Sequence, residues 1–150
     1  MSEFLEFKGQ TTKTKKDHYL WVEKYRPENM DEYVGNESLK QSIQRYIDEK
    51  DIPHVLFTGP PGTGKTSAAK ILVKSIPCDY MYINASSERG IDTIRDKIIS
   101  FASSAGFNDL KVIICDESDA ITGAGQAALR NVLETYSLHT RFIMTCNYHE

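Results

Sequence analysis

No stretch of the 150 residues approaches the ~18 consecutive apolar residues that cross a bilayer as a helix. The opening residues, MSEFLEFKGQ, lack a basic head followed by an apolar run, so no secretory signal is read there. Positive charge is not in excess. Lys and Arg number 18 against 21 Asp and Glu, a formal net charge of −3. That balance excludes an autonomous, salt-driven DNA binder, and any nucleic-acid role must come from a local basic patch or from an assembly. Cysteine is sparse. Cys78, Cys115 and Cys146 are odd in number and no two fall at metal-site spacing. They read as reduced core thiols of an intracellular protein rather than as a disulfide framework or a metal site. Internal repeats are absent too. What remains, 40% hydrophobic and 26% charged, is the composition of one folded domain.

Residues 1–17 are polar and rich in Lys and Thr, with Lys13, Lys15 and Lys16 close together. This segment reads as a flexible arm, a solvated tail before it is a nucleic-acid-binding one. Residues 18–150 carry the folded pattern. Trp21 to Pro27 reads as an extended lead-in, because Tyr25-Arg26 precedes a proline. Leu39, Ile43, Tyr46 and Ile47 predict a helix over 37–49 that Asn36 caps. Then come a strand over 54–58, a helix over 65–75 stopped by Pro77, and a strand over 80–83. Ile91, Ile94, Ile98, Phe101 and Ala105 mark a helix face closed by Gly106, followed by a strand over 111–115. A last helix carries Ala128, Leu129, Val132, Leu133 and Tyr136, and a last strand spans 142–145. Strands alternating with helices predict an α/β fold: a parallel sheet flanked by helices and buried on both faces. Ligands are then expected beyond the carboxyl ends of the strands.

Gly59-Pro60-Pro61-Gly62-Thr63-Gly64-Lys65-Thr66 matches G-x-x-x-x-G-K-[ST] in full, after a strand and at the start of a helix. Glycines let the backbone wind around phosphates with N–H groups pointing inward, and the helix N-terminus adds free donors and partial positive charge. Lys65 brings a full charge to the β- and γ-phosphates, and the Thr66 hydroxyl suits Mg²⁺. The third strand ends in Asp116-Glu117-Ser118-Asp119. Asp116 is placed to hold the water shell of Mg²⁺, and Glu117 to polarise a water for attack on the γ-phosphate. Asn147, at the end of the fourth strand, points toward the same crevice, between strands one and three. There it would orient the attacking water or sense the γ-phosphate. Alone it is equally natural as a turn residue.

These three motifs together resemble the AAA+ ATPases. Trp21-Val-Glu-Lys-Tyr-Arg-Pro27, Asn84-Ala-Ser-Ser-Glu-Arg-Gly-Ile91, Gln126-x-x-Leu-Arg130 and Phe142-Ile-Met-Thr-Cys-Asn-Tyr148 narrow the resemblance to clamp-loader small subunits, of the replication factor C type and its T4-like phage counterpart. The resemblance runs from about residue 20 to residue 150. It implies an ATPase that uses ATP and Mg²⁺, joins other clamp-loader subunits in a pentameric ring, opens a sliding clamp and places it on primer-template DNA. It implies an intracellular setting, cytoplasmic or nuclear. Position by position, it puts Val22, Arg26 and Val34 at the adenine with Pro27 packing nearby. Gly59 to Ser67 would hold the phosphates, Asp116 with Thr66 the metal, Glu117 the attacking water, and Asn147 would be the first sensor. Asn84 takes the place from which such proteins restrain the glutamate until a partner binds. Arg89, Ile91 and Arg95 fall where the family lines its DNA channel, although Asp92 and Asp96 dilute the charge and a solvated helix end is the competing reading. Family members continue past Asn147 to a Ser-Arg-Cys segment, a fifth strand, a helical lid and a collar. On that reading these residues are the N-terminal portion, truncated before the fifth strand and the lid. Two alternatives remain: another AAA+ DNA-processing machine, and a non-hydrolysing nucleotide-binding or assembly module. A nucleoside kinase has no need of Glu117.

Overall fold

A computed structural model describes residues 20–88 and 90–147, with Val22 and Glu23 in backbone only. The expected arm over 1–17, the side chain of Val22, Arg89 and Tyr148 lie outside the described residues. The elements run α1 (Trp21–Lys24), α2 (Glu37–Glu49), β1 (Val55–Thr58), α3 (Lys65–Ser75), β2 (Asp79–Asn84), α4 (Ile91–Ser103), β3 (Lys111–Asp116), a 3₁₀ turn (Ser118–Ala120), α5 (Gly123–Tyr136) and β4 (Thr140–Cys146). All strand pairings are parallel, in the order β1-β4-β3-β2.

Two readings need correction. The lead-in is not extended throughout: Trp21–Lys24 form a helical turn, with Lys24 N–H donating to Leu20 O and Tyr25 N–H to Trp21 O, both at 3.0 Å. The restriction a proline imposes falls on the single residue before it, here Arg26, and leaves the turn upstream free to coil. Nor does Gly106 close α4, which ends at Ser103 with Ser104 as its cap. Gly106 is small for another reason. A Cβ there would collide with the Asp79 carboxylate, which accepts from Phe107 N (2.7 Å), Asn108 N (3.2 Å) and Asn108 Nδ2 (2.9 Å). The Asn108 side chain first, then those backbone donors, hold Asp79 below the usual carboxylate range.

The sheet is sandwiched because its central strand is apolar on both faces. Every residue of β3 is buried. Successive side chains alternate sides. Val112 and Ile114 join Ile43, Ala68 and Leu72 in a core under α2 and α3. Ile113 and Cys115 join Ile94, Ile98, Leu129 and Phe142 under α4 and α5. Helix α2 begins where Asn36 caps it, Oδ1 accepting from Ser38 N at 2.8 Å, and stops at Lys50 in the left-handed region. Lys111 is buried at the other end of the sheet. Its ammonium donates to Phe101 O (2.8 Å), Ala102 O (3.2 Å) and Ser104 O, closing the carbonyl end of α4 with a cation. All three cysteines are free; Cys115 and Cys146 are buried and Cys78 is half-buried. Burial, then the neighbouring Asp116 charge, pushes the Cys115 thiol to about 11, so it stays protonated. Among the described residues, β1 pairs only with β4, and Leu56 on this edge is 57% exposed. No helix among them is long and apolar enough to cross a membrane.

Candidate functional site

The carboxyl ends of β1, β3 and β4 open into one cleft of about 570 Å³, within the range of small-molecule sites. Arg26, Pro27 and Val34, Pro61 to Ser67, and Asp116, Glu117 and Asn147 all line it. The parallel pairing sets this convergence: β4 lies between β1 and β3, so Asn147 follows a strand flanked by both motifs.

The phosphate loop is already wound. Gly62 and Gly64 adopt φ of 79° and 85°, in the left-handed region that side chains disfavour. Thr63 Oγ1 donates to Pro60 O at 2.8 Å. The Lys65 ammonium donates to Gly59 O at 2.7 Å and Pro60 O at 2.8 Å. Gly59 and Pro60, expected at the phosphates, are not among the lining residues and position the lysine through their carbonyls. Helix α3 starts at Lys65 with no side-chain cap and no acidic residue in its first turn, so its N–H donors face the cleft uncompensated.

Tyr33, which sequence reasoning passed over, supports this loop. It is 2% exposed, and its ring would lie 3.1 Å from a Cβ on Gly64. Gly64→Ala is therefore strained twice, by φ and by a ring with no room to retreat. We expect it to cost about 1–3 kcal/mol of stability and to weaken binding of a fluorescent ATP analogue at least tenfold. Unchanged affinity would contradict this account of the loop.

Asp116 is gripped by three hydroxyls. Thr66 Oγ1 bridges its two oxygens at 2.8 and 3.0 Å, Tyr82 OH donates to Oδ2 at 2.6 Å, and Thr145 Oγ1 donates to Oδ1. Burial pushes its pKa up. Hydrogen bonds from Thr145, Tyr82 and Thr66, with the Lys70 charge, outweigh burial and hold the carboxyl below its ordinary value. Asp116 is therefore an anion at neutral pH, 2.8 Å from the Thr66 hydroxyl. Two hard oxygens, one charged, fit Mg²⁺, which takes few protein ligands and fills its shell with water and phosphate.

Glu117 sits at φ 55°, ψ 44°, a left-handed conformation uncommon for a residue with a side chain. The strain is held by its N–H, which donates to Thr145 Oγ1 at 3.1 Å, and by Ser118 Oγ, which donates to Thr145 O at 2.7 Å. Ser118 thus ties the turn to β4. Asn84 does not touch the glutamate. Its Oδ1 turns back to accept from Ser86 N (2.9 Å) and Ser86 Oγ (2.8 Å), and Ser86 Oγ also faces Glu117 Oε2. One hydroxyl proton serves two acceptors, so Ser86 is the residue between Asn84 and Glu117.

Of the residues expected at DNA, Ile91 and Arg95 are not among those lining the cleft. Arg95 is ion-paired with Asp92 (3.3 Å) and Asp96 (3.7 Å), which bears out the dilution of charge read in the sequence. Ile91 is half-buried against the α4–α5 core, beside Gly125. Val34 lines the cleft while 92% exposed. Tyr25, Glu32, Thr145 and Cys146 also line it and were not singled out beforehand. Thr145 carried a faint signal, as a polar residue at a buried position two before Asn147.

The chain is similar to known proteins in sequence and in fold. The replication factor C small subunit of Archaeoglobus fulgidus is 48% identical over 136 residues, spanning 86% of this chain and 43% of that protein. That of Natronomonas pharaonis is 47% identical over 135 residues, spanning 86% and 42%. Replication factor C subunit 3 of Blastobotrys adeninivorans is 45% identical over 151 residues, spanning 94% and 44%. The chain thus spans less than half the length of these relatives. In fold, it resembles the RuvB Holliday junction branch migration motor of Thermotoga maritima, with a TM-score of 0.61 at 21% identity over 82% of this chain and 41% of that one. The family described as "ATPase family associated with various cellular activities (AAA)" matches residues 55–150, well over half of the sequence. With a wound phosphate loop and an acidic strand end sharing one cleft, this chain belongs to the AAA family of ATPases.

Proposed function

We propose that the chain is the nucleotide-binding part of a sliding-clamp-loader ATPase subunit, with residues 18–150 as its ATPase core. One observation carries the site: Lys65, Thr66, Asp116 and Glu117, read separately in sequence, face a single cleft. Identity to replication factor C small subunits carries the choice of machine.

Arg26, Pro27 and Val34 receive the adenine, with Val22 before them in sequence. The N–H groups from Gly62 to Ser67 and the Lys65 ammonium cradle the phosphates, with Gly59 and Pro60 holding that lysine through their carbonyls. Bound Mg²⁺ supplies charge neutralisation at the phosphates and is held by Thr66 and, through water, Asp116. Glu117 accepts a hydrogen bond from the attacking water and draws off its proton as the bond to the γ-phosphorus forms, while the bond from that phosphorus to the β–γ bridging oxygen breaks and ADP leaves with the electron pair. Asn147 orients that water or senses the γ-phosphate. Catalysis is mainly positioning and charge stabilisation. In the family this chain resembles, an arginine from a neighbouring subunit completes the site, so a lone chain turns over slowly. Arg89, Ile91 and Arg95, repeated around a ring, face primer-template DNA. The setting is intracellular.

Assembled with its partner subunits, the protein should show ATP hydrolysis that rises several-fold on adding clamp and primer-template DNA together. Stimulation by a four-way junction, and none by clamp, would favour a branch-migration machine instead.

A further inference from the structure

The grip on Asp116 contains a residue that neither the phosphate-loop motif nor the acidic strand end includes. Tyr82 lies on β2 and is paired in register with Ile114 of β3. Its side chain falls on the same face as Asn84, two residues on. The phenol oxygen is 2.6 Å from Asp116 Oδ2, the short distance of a charge-assisted O–H···O⁻ bond. The Lys70 ammonium lies 4.9 Å from the ring centroid and fixes the ring from the α3 side.

We propose that Tyr82 is a positioning residue of the metal site, whose hydroxyl locks the Asp116 carboxylate in the orientation that receives Mg²⁺ and its water shell. The inference rests on the reading of this cleft as an Mg-nucleotide site. Its logic is a count of lone pairs. A carboxylate offers about four acceptor positions. Thr145, from β4, takes one on Oδ1, and Tyr82, from β2, takes one on Oδ2. The two strands flanking β3 therefore hold the carboxylate from opposite sides. Thr66 shares its single proton between both oxygens, at 2.8 and 3.0 Å, which keeps the remaining lone pairs on the phosphate-loop side. Without the phenol, Oδ2 keeps only the shared Thr66 bond. The terminal carboxylate torsion is soft, so the group turns freely and must be re-ordered when the metal binds.

The test uses Tyr82→Phe in the full chain, which deletes one oxygen and keeps the ring and its Lys70 contact. A fluorescent ATP analogue is titrated at graded Mg²⁺, and again in excess EDTA, with ligand-free melting as a check on the fold. The Mg²⁺ concentration giving half of the metal-dependent gain in affinity should rise about tenfold, the lower end for partners of a metal's ligands. Binding in EDTA should stay within about twofold, because Tyr82 is not among the residues lining the cleft. An unchanged Mg²⁺ midpoint, or an equal loss with and without Mg²⁺, would overturn the inference and leave the nucleotide site standing. A wild-type chain that gains no affinity from Mg²⁺ would overturn both.

Discussion

Glu117→Gln is expected to leave nucleotide binding intact while lowering single-turnover ATP hydrolysis by about 10²–10⁴-fold, the range for loss of a positioned general base. The side chain is exposed at the rim of the cleft and makes no bond to the phosphate loop. Its replacement by a neutral amide of the same shape therefore removes proton acceptance and little else. The backbone of residue 117 is held by Thr145 and Ser118, and those bonds do not depend on the carboxylate. Melting with and without Mg-ATP should show the same ligand-induced rise in variant and wild type. A variant that loses binding together with hydrolysis would make Glu117 a structural or ligand-binding residue. A variant that hydrolyses normally would remove it from the reaction.

Much of this site was legible because its chemistry is encoded in contiguous motifs. A phosphate loop needs its glycines, lysine and threonine in one order, so Gly59 to Thr66 announced themselves. Asp116 and Glu117 were legible from context, as acidic residues following four apolar ones in a buried strand. The sheet followed from the alternation of strands and helices, and its order β1-β4-β3-β2 brings Asn147 between the two motifs as expected.

What escaped notice was carried by side chains whose role arises across strands. Tyr82, Ser86 and Thr145 reach Asp116 or Glu117 only because β2, β3 and β4 lie side by side. Their separations in sequence, 34, 31 and 29 residues, leave no local pattern. Tyr33 was not singled out in the sequence, yet it is among the largest fully buried side chains and packs on Gly64. Gly106 was misread for a related reason. A glycine after an apolar helical face looks like a helix cap, whereas its smallness answers to Asp79, far off in sequence and adjacent in space. The helical turn at Trp21–Lys24 was missed because the influence of Pro27 was extended too far upstream.

Lys65 is where the account is most exposed. Its ammonium rests on two neutral carbonyls, so its charge is positioned but not cancelled. It stands at the first residue of a helix with no acidic residue in its first turn, so it and the helix N–H groups act on the same anion. A phosphate on the loop would meet the Lys65 ammonium and the helix N–H groups together. Lys65→Ala should therefore leave the ligand-free protein close to wild type and remove nearly all nucleotide affinity. Thermal melting of the wild-type chain and Lys65→Ala, each with and without Mg-ATP, tests this directly. At ligand about 100-fold above its Kd, the wild type should gain roughly 2.7 kcal/mol, a rise of roughly 5–10 °C, and Lys65→Ala almost none. Equal shifts in both proteins, or no shift in the wild type, would contradict the claim that this cleft is the nucleotide site.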